Sequence, residues 1–292
     1  LPRSLLPKLK TLASSSQVFE DMNVSAPKSF FANSSQTKDN FDTRAFKKTL
    51  KLDQKTAHLN GKNIRIGMID TGLDYRHQAF LKSAHQKDSI AHNSTNLANK
   101  FFPSEKVPLG IDLVGSLFNP EAKDFLARIP IPDADPLDER GHGTHVGGII
   151  AARPFDKVWS GGVAEEAFLY PVKVFGKRGG TTTAVLLQAF EFLLDPNGDL
   201  DPKDSVHIIN LSIGRQFGRP YSLYDQVVTR LARYGILTVA SAGNSGDIPF
   251  VVSSPGTASL ALTVGAFGRK HLSQKAYLAS FSSRGPRSFD AI

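Results

Sequence analysis

The chain has 292 residues, 40% of them hydrophobic, a formal charge of +8 at pH 7 and no cysteine. Disulfides and thiol catalysis are therefore excluded, and no apolar run approaches the roughly eighteen residues that a membrane-spanning helix needs. Lys and Arg are scattered rather than gathered into a stripe interleaved with aromatics, so the charge reads as solubility and not as a nucleic-acid surface; the length allows one large α/β domain or two ordinary ones.

Residues 1–48 are rich in Ser, Lys, Asn and Gln with irregularly spaced apolar residues, the composition of a wrapping arm or linker. Leu1 is not followed by the pattern of a secretory leader, which reads as a targeting segment already removed. The Asn-x-Ser/Thr triplets at Asn23, Asn33, Asn93 and Asn210 carry no weight, and no internal repeat is visible. Ile64-Arg65-Ile66-Gly67-Met68-Ile69 is a short apolar run of the buried parallel-strand kind, and it ends in Asp70-Thr71-Gly72. A carboxylate at the C-terminal end of such a strand lies on the rim where open α/β sheets collect catalytic groups, although a turn or cap role is equally simple. A lone Asp-Thr-Gly does not make an aspartic protease, which needs two carboxylates sharing a proton. Residues 81–140 read as an insertion of surface loops.

From His142 the pattern turns regular. Phe168–Val174 reads as a strand, Thr182–Leu194 as a helix and Val206–Leu211 as a strand. Tyr221–Tyr234 follows as a helix, then Ile236–Ala240 and Leu260–Val264 as strands. Alternating strand and helix specify an α/β fold: a three-layer, doubly wound, mostly parallel sheet. Gly141-His142-Gly143-Thr144-His145 should deliver His142 at a helix start, and Gly147, Gly148, Ala151 and Ala152 supply small surfaces for close packing. A core and a surface histidine would explain the pair as well. A zinc pair would need a third or fourth ligand that is not in view. Three strand ends, at Asp70, at Asn210-Leu211-Ser212 and at Ala242-Gly243-Asn244, should share one rim, where Asp, His and Asn could form an oriented base beside an amide donor.

Ile69-Asp70-Thr71-Gly72, Gly141-His142-Gly143-Thr144-His145-Val146, Asn210-Leu211-Ser212 and Ala242-Gly243-Asn244 resemble, in order, the blocks of the subtilisin-like serine proteases. Further similarity at Gly162-Val163-Ala164, Ser254-Pro255-Gly256-Thr257-Ala258 and Phe281-Ser282-Ser283-Arg284-Gly285-Pro286 extends it from about residue 50 to the end, making 49–292 the N-terminal portion of a catalytic domain. The resemblance implies that Asp70 orients His142, that His142 is the general base and that Asn244 donates to the oxyanion. Gly179-Gly180-Thr181 and Ser212-Ile213-Gly214 would flank an extended peptide, Ser212 being as readily explained by local backbone bonding. The long spacing from Asp70 to His142 is similar to the larger cell-envelope and minor extracellular members, which implies a secreted, cell-envelope or periplasmic protein.

Two departures stand out. The Gly-Thr-Ser block of the family's nucleophile is absent after Asn244, and Ser245, Ser253 and Ser254 fall in pocket loops instead, so the serine is expected on a C-terminal fragment or second polypeptide. The rival is an inactive fragment that serves as a peptide-binding or regulatory module. Expected partners are a peptide or protein substrate and a propeptide. No cofactor is required for the chemistry. A family calcium ligand is replaced by Ala79, whereas Asp195, Asn197, Asp199 and Asp201 alternate in a turn as structural calcium loops do, an Asn-Gly turn with solvated acids being the simpler alternative.

Overall fold

A computed structural model describes residues 59–81, 101–155, 159–268 and 277–287, together with the backbone of Asn23–Val24. In chain order its elements are β1 (Asn23–Val24), β2 (Arg65–Asp70), β3 (Ile111–Asp112), α1 (His142–Ala151), β4 (Phe168–Lys173), β5 (Thr181–Thr182) and α2 (Thr183–Leu194). They continue with β6 (Ile208–Leu211), α3 (Leu223–Arg233), β7 (Leu237–Ser241), β8 (Leu262–Val264), β9 (Phe267–Gly268) and β10 (Tyr277–Leu278).

Six strands form one sheet in the order β3-β4-β2-β6-β7-β8, every pairing parallel. The step from β2 to β4 runs toward one edge of the sheet, and the steps from β4 to β6 and on to β7 run toward the other. Right-handed crossovers in opposite directions must place their helices on opposite faces. Accordingly Ala151 of α1 packs with Ile66, Met68 and Leu169, while Phe190 and Leu193 of α2 and Val227 and Leu231 of α3 pack with Ile69, Ile209 and Leu211. The direction reverses around β2, so the C-terminal end of β2 lies at a topological switch point, where such sheets bind ligands.

The helices have local causes. Thr182 caps α2 by accepting from the Val185 N–H at 3.4 Å, and Ser222 caps α3 through Asp225 N–H at 3.3 Å. Helix α1 packs closely because a Cβ on Gly147 would lie 2.8 Å from a Leu73 methyl, and Ala151 and Ala152 are fully buried. Gly148 departs from the close-packing expectation, since a Cβ there would meet nothing within 4 Å. It faces a cavity of about 350 Å³ rather than a packed neighbour.

The segment expected to be surface loops departs further. Residues 82–100 lie outside the described residues, but Phe101, Val107, Leu113, Val114 and Phe118 are buried and Ile111–Asp112 adds the sheet's edge strand. Short apolar runs between prolines carry no periodicity to announce them, yet each supplies core. Apart from Asn23–Val24 the arm 1–48 lies outside the described residues; those two pair antiparallel with Thr181–Thr182.

Among the described residues, one stretch of the sheet has no covering layer. Val239 and Leu262, then Ser241 and Val264, are lateral neighbours on the α1 face. Cover from α1 ends before β8, where Leu262 and Val264 are about half exposed, at 53% and 50%.

Candidate active site

Asp70 closes β2 and is fully buried. Its Oδ1 accepts from the Thr71 N–H at 2.7 Å and lies 2.7 Å from His142 Nδ1, while Oδ2 is buried with no partner among the described residues. A carboxylate removed from water needs compensating donors, and here a peptide N–H and an imidazole supply them. With Nδ1–H donating to Asp70, His142 keeps Nε2 as an acceptor, and its side chain is 27% exposed.

Glycines bring the two elements into contact. A Cβ on Gly143 would lie 2.0 Å from the Gly72 carbonyl oxygen, and the Gly143 N–H donates to Thr71 Oγ1 at 2.8 Å. Gly72 itself has φ 108° and lies against the Pro136 carbonyl, and Gly141 before His142 has φ 86°. Asp-Thr-Gly and Gly-His-Gly are thus two halves of one contact: each glycine either permits positive φ or leaves room for the other backbone.

Burial pulls the His142 pKa down, but the hydrogen bond to Asp70 and the charges of Asp70 and Asp138 outweigh it against the opposing Arg140, leaving the imidazole above its ordinary range. His145, one turn on, is lowered by burial and by His142. It joins no cluster of three acidic or imidazole groups at metal-ligand spacing among the described residues.

The flanking segments are braced from below. Arg140 Nη1 donates to the Gly179 carbonyl at 3.0 Å, and a Cβ on Gly179, at φ 79°, would strike the Asn119 side chain. Gly180 and Thr181 are buried beside it. On the other side Asn210 Nδ2 donates to Ser212 Oγ at 3.0 Å, and Ile213 is buried. Gly214 abuts Ser253 and Ser254, and Arg215 and Ser254 exchange backbone bonds of 2.9 and 3.0 Å. Ser253 and Ser254 are buried, Ser254 Oγ donating to Asp225 at 3.0 Å, so neither is placed as a nucleophile. Asn244 follows β7 on the same rim and is exposed.

The acidic loop differs from its expected ligand set. Asp195, Asp199 and Asp204 bring oxygens within 4.8 Å of one another. Asp201 instead accepts from the Lys203 N–H at 3.1 Å and pairs with Lys203 Nζ at 3.2 Å, and Asn197 Nδ2 donates to Asp199 at 3.0 Å. Asp204 was missed because it lies beyond the alternating stretch, brought back by the short 3₁₀ turn Pro202–Asp204. Asp138, whose carboxylate faces the start of α1, was also missed; its signal is an acid three residues ahead of the Gly141 cap.

A sequence model of the Subtilase family matches residues 61–292. The chain belongs to the subtilase family. It is 31% identical to Serine protease AprX of Bacillus subtilis (strain 168) over 218 residues, covering 70% of this chain and 47% of that protein. It is 30% identical to Minor extracellular protease Vpr of the same organism over 207 residues, covering 70% of this chain and 21% of Vpr. Among solved structures, Sphericase aligns with a TM-score of 0.56 at 26% identity, and S41 Psychrophilic Protease with 0.55 at 26%, each covering 77% of this chain and 60% of the other. The fold is the expected subtilisin-like parallel α/β sheet, and the chain spans less than two thirds of each of these relatives.

The raised His142 pKa has a consequence for stability. A folded value above the ordinary 6.5 means that the fold binds the proton more tightly than the unfolded chain. This contribution is complete below about pH 6.5 and is lost as pH rises through the folded value. Urea midpoints of the wild type and His142→Ala should therefore differ more at pH 5 than at pH 9; a gap of constant size would contradict the assigned charge balance.

Proposed function

We propose that this subtilase is a serine endopeptidase in which Asp70 and His142 activate a serine lying outside the 292 residues and Asn244 donates to the oxyanion. The buried Asp70–His142 couple, 2.7 Å apart at a sheet switch point, carries the reading. Asp70 holds Nδ1 protonated, so Nε2 removes the serine hydroxyl proton as the oxygen attacks the scissile carbonyl. The resulting imidazolium, favoured by Asp70, returns that proton to the leaving amine as the C–N bond breaks. Water then repeats the sequence on the acyl-serine and frees the carboxylic acid.

The serine-bearing segment, whether continuous with this chain or a second polypeptide, seats on the face of β7–β8 that the described residues leave uncovered. Half-exposed Leu262 and Val264 support this docking, because such a face gains by being covered. The substrate is an extended peptide. Support comes from the edge beside Gly179-Gly180, where Thr181–Thr182 already accepts two residues of the arm as an antiparallel strand. That pairing also favours the second reading, a module that binds peptides without cleaving them, in which the arm acts as a propeptide-like occupant. Similarity to Vpr, described as extracellular, supports secretion or residence in the cell envelope or periplasm. No described helix is long and apolar enough to cross a membrane.

Loss of an oxyanion-hole asparagine in subtilisin lowers kcat by about 10²- to 10³-fold. Asn244→Ala in the protein that includes the serine should reproduce that loss in peptide hydrolysis with KM little changed. A wild type that binds peptide and never releases product would select the binding module.

The loop at the end of α2 holds a structural calcium ion, with Asp195, Asp199 and Asp204 as its carboxylates in place of the four residues expected from spacing. Asp204 lies with Asp195 and Asp199, and burial together with the charges of Asp199 and Asp195 raises its pKa against the backbone N–H groups of Asn197 and Asp204, strain that a divalent cation would relieve. Calcium should raise the melting temperature of the wild type and leave Asp204→Asn unmoved; equal melting curves with calcium and with chelator would remove the ion from the account.

A further inference from the structure

We propose that Asp138 is a positioning residue for His142, fixing the direction of the imidazole by holding the first turn of α1 with a single carboxylate. The proposal rests on the reading of His142 as the general base.

Helix α1 begins without a side-chain cap of its own, because its N-cap is Gly141. Asp138 replaces that cap from outside the helix. Its Oδ1 accepts from the Arg140 N–H at 2.8 Å and the Gly141 N–H at 2.9 Å; its Oδ2 accepts from the Thr144 N–H at 2.9 Å and from Thr144 Oγ1 at 2.7 Å. These donors lie on both sides of His142 in sequence, so one anion fixes the backbone before and after the imidazole. An ordinary cap satisfies one or two N–H groups, and four bonds to one carboxylate leave the turn little freedom to rotate.

The same carboxylate ties α1 to the loop that carries Asp70. Thr144 Oγ1, while donating to Asp138, accepts from the Asp74 N–H at 2.8 Å. From below, a Cβ on Gly72 would come within 3.0 Å of the Asp138 backbone. The Asp70 turn, the 136–138 segment and the start of α1 therefore meet at Asp138, and the 2.7 Å distance between Asp70 and His142 depends on that junction.

Electrostatics point the same way. Unpaired N–H groups at a helix start repel an imidazolium in the first turn. Asp70 and Asp138 favour it, Arg140 opposes it, and His145 is coupled to it from the next turn. Asp138 thus quenches the helix-end field at the position where His142 must carry a proton.

NMR of His142 in the full chain tests this directly, through the imidazole titration and the low-field resonance of its Nδ1 proton. Asp138→Asn should lower the His142 pKa by about half a unit or more and broaden the low-field proton. Thr144→Val, which keeps the Asp138 charge and removes the hydroxyl's bonds to Asp138 and to the Asp74 N–H, should broaden that proton with a smaller change in pKa. An unchanged titration and unchanged resonance in folded Asp138→Asn would overturn the proposal and reduce Asp138 to a stabilising cap; if that variant does not fold, an unchanged resonance in Thr144→Val overturns it equally. Both readouts belong to His142 itself. A protein with an intact couple and no hydrolysis would count against the peptidase reading and leave the role of Asp138 standing.

Discussion

Asp70 sits at the end of a buried strand, out of reach of water, with one oxygen shared between a peptide N–H and an imidazole and the other without a partner among the described residues. An isolated carboxylate in such a place costs several kcal/mol, an effect large beside the roughly 5–15 kcal/mol by which a whole domain is stable. Much of the surrounding geometry follows from keeping its compensating donor in range. Gly72 and Gly143 allow backbone contact closer than any side chain would permit, and Thr71 Oγ1 takes the Gly143 N–H at the joint.

The sheet explains why these groups can meet across 72 residues of chain. All six strands run parallel, so the ends that carry Asp70, Ser212 and Asn244 share a rim, and the reversal of winding at β2 opens that rim to ligand. Placement of α1 on the opposite face from α2 and α3 brings its first residue over the end of β2. The part of the α1 face that the described residues leave uncovered, at β7 and β8, is where the proposed serine-bearing segment would seat.

Legibility in the sequence followed the range of the interaction concerned. Strand ends at Asp70, Leu211 and Ser241 could be read because buried parallel strands are continuous apolar runs that stop abruptly at polar residues. His142 could be read because glycines frame it. The edge strand Ile111–Asp112 could not, since two residues show no period, and the burial of Phe101 and Val107 depends on contacts distant in sequence. Asp204 escaped notice for a related reason: alternation points to Asp201, but the 3₁₀ turn directs Asp201 to Lys203 and returns Asp204 toward Asp195. Gly148 shows the converse, a small residue that looks like a packing site and instead borders open space.

The central claim is that His142, oriented by Asp70, activates a serine outside these 292 residues. Fluorophosphonate labelling of the full-length protein, with the labelled residue located by tandem mass spectrometry, tests it most directly. The account predicts a labelled serine beyond residue 292, or on a co-purifying polypeptide, and loss of labelling in His142→Ala. A label on Ser245, Ser253 or Ser254, or labelling that survives His142→Ala, would contradict it.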